Sequence, residues 1–224
     1  SFGANAAEYR EKVGAIAGVG GVKVYRAWNG PLSPNDLRPP EEWEDWFSAL
    51  PEDTPESVAQ WLDHVSRAAS ENLLTTGGVV RLTILDSTFS PPSAELVEQV
   101  QQAVDPKGEA GEGEGFAPIG HVVLVEGVTG REVEISASFV YEDSWDWEAC
   151  RPYLEQAARD YLLSLRKAWA DSPKGLTVRI SALESAFLAC PGILDVTGTT
   201  LCGEAANLEL TEDEVPVEGA LHGS

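Results

Sequence analysis

Between residues 132 and 139 polar and apolar side chains alternate without a break, and Tyr141 continues the apolar side. Val133, Ile135, Ala137, Phe139 and Tyr141 fall on one side, and Glu132, Glu134, Ser136 and Ser138 on the other. Successive strand residues point to opposite faces, so this stretch reads as a strand with one dry and one wet side. Such a strand cannot stand alone. Its dry face has to be covered by a helix or a second sheet, which places the chain among layered folds containing β-structure.

The segments around it supply the cover. Val79 to Leu85 is an apolar strand. Residues 94–104 form a helix with Leu96, Val100 and Val104 on one face and Ser93 as its cap. Asp105-Pro106 stops that helix, because a residue before proline avoids helical dihedrals. A strand at 121–126 precedes the alternating one. A long helix over 149–170 then carries Leu154, Ala158, Tyr161, Leu162, Leu165 and Trp169 as its stripe, and a strand at 177–181 closes the series. The order is βαββαβ, which in a single sheet is the split arrangement of ferredoxin-like folds. The expected class is therefore α+β: a ferredoxin-like core over 77–181 with both helices packed on a mainly antiparallel sheet.

Three flanking units complete the expected organisation. Residues 1–30 hold a helix near 5–17, with Tyr9, Val13 and Ile16 on one face, and a first strand from Val22 to Trp28. Residues 31–76 read as an inserted helical hairpin bounded by the turn formers Gly30-Pro31 and Thr76-Gly77-Gly78. Inside it, Trp43, Trp46, Phe47 and Leu50 share one helical face, and Val58, Trp61, Leu62 and Val65 share another. Thr54 with Pro55 should open the second helix. Residues 182–224 form a C-terminal α/β tail of helix, strand and strand, with Ser181 to Glu184 matching a capping box.

The hairpin carries the sharpest physical signal. Trp43, Trp46, Phe47 and Trp61 each offer roughly 150–250 Å² for burial. Together they exceed the apolar patch of roughly 300–600 Å² that a monomer ordinarily exposes. The four rings must pack on one another, on the host fold or on another protein, and they are the candidate protein-contact residues. The sequence leaves open whether they form a closed hairpin core or a docking surface.

Charge removes whole classes of function. The chain has 37 acidic residues against 15 basic ones, a net charge of −22. Such a surface repels phosphate backbones and anionic lipid, so neither nucleic acid nor membrane is expected as a partner. No apolar run is long enough to span a bilayer. Cys150, Cys190 and Cys202 are scattered and odd in number, which suggests reduced thiols rather than a disulfide framework or a zinc site. The chain starts at Ser1 and contains no Met, and it reads as the C-terminal part of a longer protein.

No motif for catalysis or cofactor binding withstands inspection. Gly111, Gly113 and Gly115 alternate with Glu112 and Glu114 and run into Phe116-Ala117-Pro118. A phosphate cradle needs glycines that open into a helix, and these carboxylates would repel a phosphate. Glu109, Glu112 and Glu114 could ligate calcium, but their spacing fits neither an EF-hand nor a Gly/Asp repeat, so a solvated flexible loop is expected. His64, His121 and His222 lie far apart and make no metal motif. There is no GxSxG elbow. Glu41, Glu42, Glu44 and Asp45 belong to the wet side of the hairpin. No catalytic, cofactor-binding or metal-ligating residue is nominated, no cofactor is expected, and the chain is not expected to be an enzyme.

A run of short motifs points elsewhere. Ile84-Leu85-Asp86-Ser87, Ala94-Glu95-Leu96-Val97, Asp105-Pro106, Gly113 to Gly120 and Glu214-Val215-Pro216-Val217 occur in order. With Val22 to Tyr25 and Trp28-Asn29-Gly30 upstream, the chain resembles the J-type baseplate proteins of contractile-tailed phages and prophages over most of 5–30 and 78–219. The resemblance breaks at 31–76, which is why that segment reads as an insertion. It implies a structural wedge component of a tail baseplate in the virion, assembled in the bacterial host cytoplasm. The implied partners are other wedge and hub proteins and copies of the chain itself. A phage-like contractile injection device is a close alternative. A ferredoxin-like module binding a small ligand would come from another class, and a hydrolase using scattered carboxylates ranks last.

Overall fold

The computed structural model describes residues 5–26, 39–70 and 78–223. The class is α+β, as expected, but the strands divide into three sheets rather than one. In the first, β1 (Val19–Arg26) pairs antiparallel with β2 (Val79–Asp86), which pairs parallel with β3 (Val122–Gly127). In the second, the central β4 (Thr129–Tyr141) has β6 (Ile193–Leu201) antiparallel on one side and β8 (Glu214–Gly223) parallel on the other. A third sheet is a two-stranded ribbon of β5 (Thr177–Val178) and β7 (Leu208–Glu209).

The single ferredoxin-like sheet is therefore corrected, and the reason is that a strand has two edges. Both edges of β4 are taken by β6 and β8, from the segment read as a tail, so β4 has none left for β2 or β3. The chain crosses between sheets at Val128, one residue long, whose N–H bonds Ile84 O of the first sheet. Thr129 N–H, the next, bonds Asp213 O in the loop leading to β8. The expected strand at 177–181 shrinks to β5, because Ile180 already begins a helix.

Each large sheet has its own core. On the first, α1 (Ala6–Gly14) and α4 (Ala94–Val104) bring Tyr9, Val13, Val100 and Val104 against Val22, Leu82, Ile84, Val123 and Val125. Asn5 caps α1 and Ser93 caps α4, each accepting an N–H three residues on. On the second, α5 (Trp147–Ala168) lays Cys150, Leu154, Ala158 and Leu162 over the dry side of β4, with Val133, Ile135, Ala137 and Phe139 beneath. The helix starts at the Asp146 cap and carries Pro152 inside it, then tightens into a 3₁₀ turn at Trp169–Asp171.

Behind α5, α6 (Ile180–Leu188) adds Leu183 and Phe187 to the same core. The expected capping box does not form. The residue before α6 is Arg179, which makes no side-chain cap bond, and Asn207 Oδ1 from the far side of the ribbon accepts the Ile180 N–H at 3.0 Å. Gly192, at φ +79°, then turns the chain into β6 under the Trp145 ring, which a Cβ would meet at 2.2 Å. Val24 and Tyr25 fall in β1 as expected, whereas Trp28 to Gly30, the start of the hairpin at 31–38 and its end at 71–77 lie outside the described residues.

Candidate protein-contact surface

The described hairpin comprises α2 (Trp43–Ser48) and α3 (Glu56–Ser70). The turn between them begins at Pro51, whose carbonyl accepts Thr54 N–H, and Pro55 O accepts the Val58 and Ala59 N–H groups of α3. Pro55 thus sits one place before the helix rather than at its first position. Among the described residues, neither hydrophobic core includes a side chain from α2 or α3.

Its four candidate rings fall into two pairs. Trp43 is half-buried and stacks on Phe47 at 5.6 Å between centroids, with the tilted Trp46 ring at 5.3 Å. Across a cleft of about 210 Å³, Trp43 faces Trp61, Leu62 and Val65, with Pro39 and Pro40 at one end. Trp46 and Trp61 stay in the open, 54% and 61% exposed. Trp43 and Phe47 are half-buried within the hairpin, while Trp46 and Trp61 present apolar surface outward. Phe47 shares a neighbouring cleft with Ser66, Arg67 and Ser70 of α3.

A second assembly of side chains gave no local sequence signal. Period-two geometry sends Leu82 and Ile84 of β2 into the first core and Arg81, Thr83 and Leu85 to the opposite face. There Arg81 Nη1 bonds Asp213 Oδ2 at 2.6 Å, Thr83 Oγ1 donates to Asp213 Oδ1 at 3.2 Å, and Leu85 joins the second core. Lys23, opposite Thr83 in the register, is 4% exposed. Its ammonium donates to Glu212 O at 2.8 Å and sits 4.5 Å from the Trp169 ring centroid, while Trp169 Nε1 donates to the same carbonyl at 2.9 Å. Burial pushes the Lys23 ammonium below the usual lysine value, against the opposing pull of Glu212 and Asp213. The two cores are thus joined through a polar seam anchored on the 212–213 loop. In sequence, Asp213 looks like one more solvated carboxylate in an acidic run, and only the register of β1 on β2 reveals its role.

The residues tested for chemistry are dispersed. His121 Nδ1 is paired with Tyr9 OH at 3.0 Å, a structural contact between α1 and the start of β3, and His222 meets Glu134 at 3.0 Å. His64 lies exposed on α3. Among the described residues there is no group of three or more His, Cys, Asp or Glu side chains placed to hold a metal ion. Cys150, Cys190 and Cys202 are free. The Gly/Glu loop is less loose than its composition suggests. Buried Asp105 accepts Gly111 N–H at 3.0 Å, and Gly120 N–H bonds Gly111 O at 2.8 Å. Glu109, Glu112 and Glu114 remain exposed on it. No described helix is long and apolar enough to cross a membrane.

Comparison with known proteins identifies this architecture. Residues 56–127 match the family model of the baseplate J-like central domain, and residues 133–224 match that of the baseplate J-like protein C-terminal domain. The chain belongs to the baseplate J-like family. The boundary between the two matched domains falls where the chain crosses from the first sheet to the second. The central-domain match begins at Glu56 and so takes in α3.

Two curated relatives come from Bacillus subtilis (strain 168). The phage-like element PBSX protein XkdT is 29% identical over 161 residues, 72% of this chain and 44% of that protein. The uncharacterized protein YqbT is 25% identical over 219 residues, 98% of this chain and 47% of its own length. The chain therefore spans about half the length of these relatives. Among solved structures, a chain of the six-fold symmetrised baseplate of the anti-feeding prophage overlaps 62% of this chain and 29% of its own, with 13% identity and a TM-score of 0.39.

Proposed function

We propose that this baseplate J-like chain is a structural wedge component of a phage or prophage contractile-tail baseplate. It acts by protein–protein contact with other wedge and hub proteins and with copies of itself, and it carries no catalytic role. The observation that carries the reading is the family match of both halves of the chain, central domain then C-terminal domain. The seam through Lys23, Arg81 and Asp213 suits such a part, because it ties the two cores to one loop. In the same reading, the exposed rings of Trp46 and Trp61 form a docking surface, with Trp43 and Phe47 supporting them from within the hairpin.

The test is made in a host that produces the tail particles. The gene is deleted and restored with a tagged copy, and particles are imaged by electron microscopy. Tails that lack a baseplate without the gene, and carry the tag at the baseplate with it, are the expected result. Complete baseplates assembled without this chain would refute the proposal. The relative from the phage-like element PBSX favours a second reading, in which the same part serves a phage-like contractile injection device. Particles of that kind would show the tagged baseplate without a DNA-filled head.

A further inference from the structure

Between residues 39 and 70 the hairpin carries eight carboxylates against a single cation, Arg67, and Arg67 is already paired with Asp63 at 2.5 Å. Four of the eight stand beside the aromatic rings. Glu42 lies beside Trp43 and Trp46, while Glu41, Glu44 and Asp63 line the flank next to Phe47. The cleft of about 210 Å³ walled by Trp43, Trp61, Leu62 and Val65 is roomy enough for a side chain of leucine or phenylalanine size and has no carboxylate in its own lining. It shares Pro40 and Trp43 with both acidic clefts, so an apolar socket adjoins an acidic surround, called its rim below.

We propose that this socket receives an apolar side chain from a different protein, presented on a surface whose surrounding charges are lysine or arginine. This inference rests on the reading of the hairpin as a protein contact, and it names the chemistry of the occupant. An apolar anchor filling a desolvated pocket supplies affinity, and a complementary charged rim supplies partner choice and a faster encounter. A second copy of this chain is the poorer occupant. It has 37 acidic residues against 15 basic ones, so a copy brings mainly like charge to the acidic rim. Like charges set face to face discriminate against a partner as effectively as matched ones select for it.

The probe is a pair of synthetic amphipathic helical peptides, one with leucines flanked by lysines and one with glutamates in place of every lysine. Binding is followed by the indole N–H signals of the full chain, assigned through single Trp→Phe variants. The lysine peptide should shift the Trp43 and Trp61 signals and the glutamate peptide should not. Trp61→Ala should weaken the lysine peptide roughly thirtyfold, the scale of a lost anchor residue. Replacing Glu41, Glu42 and Glu44 together with lysine should transfer the preference to the glutamate peptide. Equal response to both peptides, response to neither, or binding that survives Trp61→Ala would overturn the proposal. So would self-association in sedimentation velocity that Trp61→Ala abolishes.

Incorporation into tail particles separates this inference from the one beneath it. If Trp46→Ala with Trp61→Ala leaves incorporation intact, the hairpin is not a docking element and both fail. If the tryptophan variant is excluded while the charge-reversed chain incorporates fully, the docking reading stands and the basic partner is wrong. Circular dichroism and thermal melting confirm that each variant is folded before it is scored.

Discussion

Gln101 does for β3 what a neighbouring strand would do. Its amide donates to Asp105 O at 2.6 Å and Val123 O at 2.9 Å, and its carbonyl accepts Val125 N–H at 2.9 Å. Asp105 completes the cover by accepting Val123 N–H at 2.8 Å. An edge strand with free backbone groups invites pairing with other chains, and here two side chains from the end of α4 occupy the edge. Gln101→Leu keeps the bulk but leaves those groups unpaired in a buried site. The expected loss is about 2–4 kcal/mol in urea unfolding, with a greater tendency to aggregate. Tyr9 gives a second prediction. Burial, then the nearby Asp105 and Glu8 charges, push its phenol from 10.0 to about 12. The unfolded chain releases this proton first, so stability contributed by Tyr9 is intact below pH 10.0 and is lost as pH rises toward about 12. Tyr9→Phe should flatten that part of the alkaline unfolding curve, and should also free the His121 ring.

At the scale of elements, the hairpin and the α6–β6 turn behave in opposite ways. Trp61 is mostly exposed, so Trp61→Ala should change the melting of the whole protein by no more than about 0.5 kcal/mol, the usual range for an exposed position. Trp43→Ala removes the ring that joins α2 to α3. Faster amide exchange confined to 56–70 is the expected outcome, with both sheets unaffected, since neither core draws on α2 or α3 among the described residues. Gly192 has no such freedom. A Cβ there would lie 2.2 Å from Trp145 in a backbone region side chains avoid, so Gly192→Ala should lower the midpoint of denaturation clearly and disturb the Trp145 fluorescence.

For the molecule as a whole, the seam between the cores is the feature with mechanical consequence. Arg81 is held by Asp213 and leans on the Tyr25 ring at 4.5 Å, while Lys23 and Trp169 grip one carbonyl of the same loop. The Arg81 and Asp213 side chains are 26% and 32% exposed, between a surface pair and a buried one. Asp213→Asn should cost about 1–2 kcal/mol, an intermediate value. The informative readout is where the loss appears. Amide exchange should quicken in β2 and in the 211–213 loop before it does in the centre of either core, and small-angle scattering should show a wider spread of shapes. A variant that unfolds uniformly, with no early loosening at the seam, would mean the cores are not coupled there.

Much of this protein could be read from residues alone because periodicity and capping are local. The alternation over 132–139, the Ser93 cap, the stop at Asp105-Pro106 and the stripes of α4 and α5 each follow from dihedrals and burial within a dozen residues, and all are present in the structure. The family, too, was legible in the order of short motifs. What could not be read was partnership. Alternation tells which face of β4 is dry but not which strand lies beside it, so one sheet and two sheets predict the same pattern. The choice fell to β6 and β8, brought to β4 from more than fifty residues away. The same holds for Asp213, an acidic residue like its neighbours until the pairing of β1 with β2 sets Lys23 and Arg81 over it. Hydrogen-bond edges and buried charges are satisfied by whatever the chain brings back from a distance, and only the tertiary structure decides what that is.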